Sequence, residues 1–236
     1  MQRVQLEAAG ALPGALPPVG WLAMAAFLVV TAALVVRGYR RRGMARFGAA
    51  NVVTSLRAVL VGAITGLVAG SFAGAVPVAT VVALVVPALA LDAVDGWVAR
   101  RTASVTELGA RFDMEVDAFL LLVLGIAVAP ALGVWVLAIG LLRYAFVAAG
   151  WMLPWFRRTL PPRYWRKVVT AFAGIALAVA VSRLLPGLDV VLVGAALLLL
   201  VESFGRDAIW LVRRRREKGL DADTCFLQVS AASDRN

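Results

Sequence analysis

The chain has no histidine and a single cysteine, Cys225. A soft metal site built on imidazole or thiolate is therefore not available, and an intramolecular disulfide is excluded. Charge is scarce too: Asp, Glu, Lys and Arg make up 16% of the 236 residues, with 14 acids against 24 bases, while hydrophobic types make up 62%. With a mean hydropathy of +0.87, the chain carries too much apolar surface for a water-soluble globule and reads as a polytopic membrane protein. No small-residue cleavage pattern follows the first apolar run, so a secretory signal is not expected. Nor is there an internal repeat or a pair of interrupted helices of the kind a transporter carries.

Apolar runs predict an all-α membrane helix bundle. The first spans Val19–Val36 and ends in Arg37, Arg40, Arg41, Arg42 and Arg46. Six more helices are expected near 51–70, 76–99, 110–130, 134–152, 167–184 and 188–212, several separated by Gly- and Pro-containing breaks. The domain reading is a tail over 1–18, an extra transmembrane helix with a basic connector over 19–49, a six-helix catalytic domain over 50–212, and a basic anchor with a disordered tail over 213–236. The connector from Tyr39 to Ala50 reads as an interfacial amphipathic helix or a solvated basic loop. Walking alternate loops puts nearly all basic residues on one side and only Arg3 and Arg183 on the other, which makes the basic side cytoplasmic. The expected location is an integral, multi-pass position in a bacterial plasma membrane. Membrane lipid, not nucleic acid, is the expected partner of the positive charge, with Arg213–Arg216 as an anionic-lipid anchor.

The acids are concentrated instead of scattered. Six of the 14 lie between Asp92 and Asp117. Asp92 and Asp95 are spaced i, i+3 at the end of one apolar run, and Asp113 and Asp117 are spaced i, i+4 at the start of the next, so each pair occupies one helix face. An ionised Asp within a transmembrane helix costs about 2.5–3.5 kcal/mol, and four together also repel. Hard divalent cations with all-oxygen coordination, Mg or Mn, are the natural neutraliser. The alternative is an ion-pair network with Arg100, Arg101 and Arg111. Gly96, Ala99 and Gly109 are small residues on or near the acidic faces, where they leave room for a bulky ligand. Glu115 points about 160–200° away from the Asp113 and Asp117 face and is expected to pair with a basic residue.

The spacing Asp92, Asp95-Gly96, Ala99-Arg100, Gly109, Asp113, Asp117 resembles the signature of the CDP-alcohol phosphotransferase family, with every fixed position filled. Upstream, Asn51-Val-Val-Thr54-Ser-Leu-Arg57 resembles the opening of the family's first core helix, with Ala50 where a Pro often stands. The resemblance covers roughly residues 50–212 and implies a six-helix core, two divalent metal ions, Mg or Mn, and a homodimer. It implies metal ligation by Asp92, Asp95, Asp113 and Asp117, with Asp117 also accepting the hydroxyl proton. It places the CDP-alcohol against Asn51, Thr54, Gly96, Arg100 and Thr106. The implied reaction moves the phospho-alcohol group of a CDP-alcohol such as CDP-diacylglycerol to an acceptor hydroxyl and releases CMP.

The acceptor is not specified by the shared motif. Arg143 lies inside an apolar helix, where a lone cation is costly, and with Lys167 and Arg206 it would suit a phosphorylated polyol. The alternatives are a neutral or amino-alcohol acceptor, or a non-catalytic membrane protein that binds a cation through the same carboxylates. Trp151, Trp155, Trp165 and Tyr164 read as an interfacial aromatic belt. Because every matched residue lies at or beyond Asn51, the first helix is expected to be dispensable for chemistry.

Overall fold

The computed structural model describes residues 16–42, 49–74, 76–101, 107–153 and 164–233. Among these the chain is entirely helical: α1 (Pro18–Arg42), α2 (Ala49–Gly70), α3 (Val78–Arg101), α4 (Glu107–Leu132), a short 3-10 turn (Val134–Leu137) running into α5 (Ala138–Met152), α6 (Tyr164–Ser182) and α7 (Leu188–Ser233). Six stretches are long and apolar enough to cross a membrane, and α3 adds a shorter apolar one, Val78–Asp92. This is the expected polytopic bundle with an extra helix at its N-terminal side. The apolar part of α3 is short because Asp92 and the residues after it belong to the polar segment that carries the motif.

Helix order in space follows from which faces are uniformly apolar. Within the spanning windows, 44% of residues are buried in α2 and in α4, against 6% in α1, so α2 and α4 form the centre and α1 lies at the lipid boundary. Val61, Ile64 and Val68 of α2 join Val85 and Ala88 of α3, Leu120 and Leu124 of α4, and Ala173 and Leu177 of α6 in one buried cluster. The outward faces remain apolar: Leu22, Leu34, Ile175, Val191 and Leu198 are all more than half exposed, which suits a hydrocarbon solvent and not water. Helices α3 and α4 are consecutive in the chain, yet α3 packs mainly on α2 and α6, while α4 packs on α2, on the 3-10 turn and α5 that follow it, and on α6. Helix α2 is thus the element that relates the two halves of the acidic motif.

Glycine acts where backbones must turn or approach. Gly133, with φ 101°, ends α4, and the Trp135 ring N–H donates to the Leu132 carbonyl at 2.6 Å. Helix α5 then returns against α4 at Gly140, where a β-carbon would sit 2.5 Å from Leu122 Cα.

One expectation needs correction at the C-terminal end. Residues 219–233, read from sequence as a disordered tail, continue α7 as helix. Beyond Gly219 the segment contains no Pro and no further Gly and includes several good helix formers, so an existing helix extends at little cost per residue. Of the basic connector, positions 43–48 lie outside the described residues, while its ends belong to α1 and α2.

Gly140→Leu is expected to force α5 away from α4 and to destabilise the folded protein by about 1–3 kcal/mol, the usual range for overpacking. Gly140→Ala should cost less. Thermal unfolding in detergent, followed by helical circular dichroism, measures both.

Candidate active site

Three of the four motif aspartates converge. Asp92 lies near the end of α3, and Asp113 and Asp117 lie one turn apart near the start of α4. Each offers a carboxylate oxygen within 4.8 Å of the others. Their side chains are 37%, 32% and 24% exposed, so the cluster is open on one side. All-oxygen anionic donors at this spacing fit a hard divalent cation.

The residue that gathers them is Arg57. Its side chain is fully buried, and its Nη1 donates to Asp92 Oδ1 at 3.0 Å and to Asp113 Oδ1 at 2.5 Å. Nη2 forms an ion pair with Asp117. An ion-pair network does join the acids, and Arg57 of α2 supplies a cation to it; the side chains of Arg100 and Arg101 lie outside the described residues. A guanidinium can serve several carboxylates at once because its donors fan out in one plane. Arg57 was legible only as part of the upstream motif. The usable signal was its position in an apolar span, where a cation needs acidic partners.

Thr54, one turn before Arg57, is buried. The side chains of Asn51, Asp95, Gly96, Ala99 and Arg100, and the whole of Thr106, lie outside the described residues. Asp95 and the expected CDP contacts at these positions therefore remain expectations.

The three basic residues expected at the acceptor go to different places. Arg143 Nη2 donates to Glu115 Oε1 at 2.7 Å, which supplies the basic partner expected for Glu115 and turns Arg143 toward the face of α4 away from the aspartates. Lys167 is exposed on the first turn of α6. Arg206 donates to Glu202 at 2.8 Å and lines a cavity of about 630 Å³ between α6 and α7, with Trp165, Arg166, Asp207, Trp210 and Arg213. Arg166 donates to the buried Asp207 at 3.1 Å, and the Trp165 indole donates to Glu202 at 3.1 Å. Trp151 is exposed, as an interfacial residue should be. Trp155 and the Tyr164 side chain lie outside the described residues.

The sequence model of the CDP-alcohol phosphatidyltransferase family matches residues 47–204. The chain belongs to this family, whose members transfer a phospho-alcohol group from a CDP-alcohol to an acceptor. The match runs from just before α2 into α7 and includes Arg57 and every motif aspartate. No curated protein and no solved structure matches the chain.

Arg57→Met keeps much of the apolar stem but leaves three clustered carboxylates without their cation. The expected loss is about 3 kcal/mol, the low end for breaking a buried pair because the acids are partly exposed. In thermal unfolding the variant should melt well below the wild type in chelator and recover most of the difference in millimolar Mg. Equal melting of the two proteins in chelator would contradict this.

Proposed function

We propose that the protein transfers the phosphatidyl group of CDP-diacylglycerol to the hydroxyl of a phosphorylated polyol at the cytoplasmic side of a bacterial plasma membrane. The observation that carries this reading is the convergence of Asp92, Asp113 and Asp117 into one carboxylate cluster at motif positions of the family. Asp95, on the same face of α3 as Asp92 by spacing, completes the ligand set for two divalent cations, Mg or Mn. When bound, such cations neutralise the diphosphate and polarise its phosphorus–oxygen bonds.

The rest follows from the chain's own groups. The acceptor oxygen forms a bond to the lipid-side phosphorus, the bond from that phosphorus to the oxygen of CMP breaks, and CMP departs with the electron pair. The hydroxyl proton passes to the Asp117 carboxylate. Asp117 suits that role because it is the most shielded of the three acids yet is 24% exposed, so it can be reached from the open side. A carboxylate is a weak base for an alcohol and works only as the proton becomes acidic during bond formation. Asn51, Thr54, Gly96, Arg100 and Thr106 are the proposed contacts of the CDP portion.

For the acceptor, the basic cavity between α6 and α7 favours a phosphorylated polyol. Arg206 and Arg213 offer cations to a phosphate there, and Trp165 and Trp210 offer flat apolar walls. Among the residues first considered, Arg206 carries the proposal, with Lys167 nearby in sequence to the lining residue Arg166. Arg206 and Arg143 each pair with a glutamate, but Arg206 lines the cavity and Arg143 does not.

CMP release from CDP-diacylglycerol by the purified protein, with and without Mg, against phosphorylated polyols, serine, choline and ethanolamine, tests class and acceptor together. Turnover is expected with a phosphorylated polyol and Mg. Turnover only with an amino alcohol would move the acceptor assignment, and no release with any acceptor would favour a non-catalytic cation-binding protein. Asp117→Asn should bring the rate below about 1% of wild type, on the 10²–10⁴ scale of general bases, while the folded protein still binds CDP-diacylglycerol.

Arg206→Ala should raise the acceptor KM about tenfold or more, as expected for losing a charge-assisted hydrogen bond, and leave the KM for CDP-diacylglycerol nearly unchanged. Arg143→Ala should change the acceptor KM far less. The reverse order would return the acceptor phosphate to Arg143.

A further inference from the structure

Helix α1 lies outside the segment that matches the family, residues 47–204, and nothing in its sequence requires it for chemistry. Its packing does. On α2, Gly62, Gly66 and Gly70 recur every four residues and share one face, about 180° around the helix from Arg57. That face is filled by α1. A β-carbon at Gly66 would lie 2.9 Å from the Gly20 carbonyl oxygen, and one at Gly20 would lie 2.6 Å from the Gly66 carbonyl oxygen. On either side of this crossing, Gly62 meets Leu28 and Phe27, and Gly70 meets Leu16 and Pro17. Inside a bilayer there is no hydrophobic drive to join two apolar helices, so close approach of this kind is what holds them together.

Helix α1 also reaches past α2 to α4. The rings of Phe27 and Phe119 stack with centroids 4.5 Å apart and planes inclined by 20°. Phe119 is two residues beyond Asp117 on the same helix. One element therefore grips both the helix that carries Arg57 and the helix that carries Asp113 and Asp117.

We propose that α1 is a positioning element of the catalytic unit, not an appended membrane anchor. The glycine seam fastens it to α2, and the Phe27–Phe119 stack fixes that pair of helices against α4. Together they hold Arg57 at its carboxylates and set the separation of the oxygens that receive the cation. Phe27 and Phe119 are positioning residues: neither is among the residues that meet the substrate. The inference rests on reading the carboxylate cluster as a divalent-cation site, and it departs from the expectation that the first helix is dispensable.

The test uses the full chain in lipid nanodiscs with Phe27→Ala, Phe27→Leu, Gly66→Ile and Asp113→Asn. The primary measurement is the Mg concentration giving half-maximal thermal stabilisation without substrate; the second is kcat at limiting and at saturating Mg. Phe27→Ala and Gly66→Ile are expected to raise the Mg midpoint about five- to tenfold, the order that loss of an aromatic pair supports. Their kcat should fall at limiting Mg and recover at saturation. Phe27→Leu, which restores apolar bulk, should stay within about twofold of wild type. A purely structural role for α1 would lower the melting temperature equally with and without Mg and leave the midpoint unchanged, and that result overturns the proposal. If Asp113→Asn abolishes the Mg response while the α1 and seam variants behave as wild type, the cation site stands and the positioning role is lost. If the wild type has no Mg response that depends on Asp113, both fall. Phe27 is only half-buried and its truncation leaves the Gly20–Gly66 crossing intact, so Phe27→Ala decides the matter even if Gly66→Ile fails to insert.

Discussion

A buried guanidinium among three carboxylates is the constraint on which the arrangement of the bundle turns. Arg57 is inaccessible, whereas each of its acidic partners keeps an exposed edge. One guanidinium shared among three carboxylates reduces the repulsion among the acids without ending it. Removing a charge from water costs several kcal/mol even after relaxation, and the partners recover that cost only if the geometry is held firmly. The helices must therefore be held in register by apolar packing: Val61, Ile64 and Val68 on the Arg57 face of α2 lock into the same core as Leu120 and Leu124 of α4.

Helix α2 works because its two faces have opposite tasks. One face turns a cation and β-branched side chains inward. The other offers glycine at every fourth position, where α1 lies almost backbone to backbone. A larger residue on that outer face would push α1 outward and weaken the backing that keeps α2 against α3 and α4. The helix that carries the fully buried cation is thus also braced from behind, although its brace is mostly exposed to lipid.

Much of this architecture is legible in the sequence because a bilayer permits so few solutions. Long apolar runs ending at Gly, Pro or Arg clusters locate the helices to within a few residues, and the i, i+3 and i, i+4 spacing of the acids places them on helix faces before any tertiary contact is known. The failures are tertiary. Arg57 and the aspartates are separated by 35 residues or more, and no local periodicity pairs them. Arg143 looked like an isolated cation only because Glu115 lies 28 residues earlier. The tail differs from its sequence expectation for another reason: polar composition and lack of periodicity argue against burial, but they do not argue against a helix that continues one already formed.

The same distinction separates what Arg57 and a divalent cation can each do for this site. A guanidinium offers several directed N–H donors and never loses its charge, which makes it suited to holding carboxylates in place. It has no coordination shell into which an oxygen of a diphosphate can enter. A hard divalent cation accepts carboxylate, water and phosphate oxygens together. The two are therefore complementary, with Arg57 organising the acids from the buried side while their exposed edges remain available for a cation from the open side. Helix α6 extends this arrangement, since it packs on α3 and α4 and also on α7. The positive cavity at its start is thereby built on the framework that holds the carboxylates, and two anionic substrates could be brought together there only if each met its own compensating charge on one rigid scaffold.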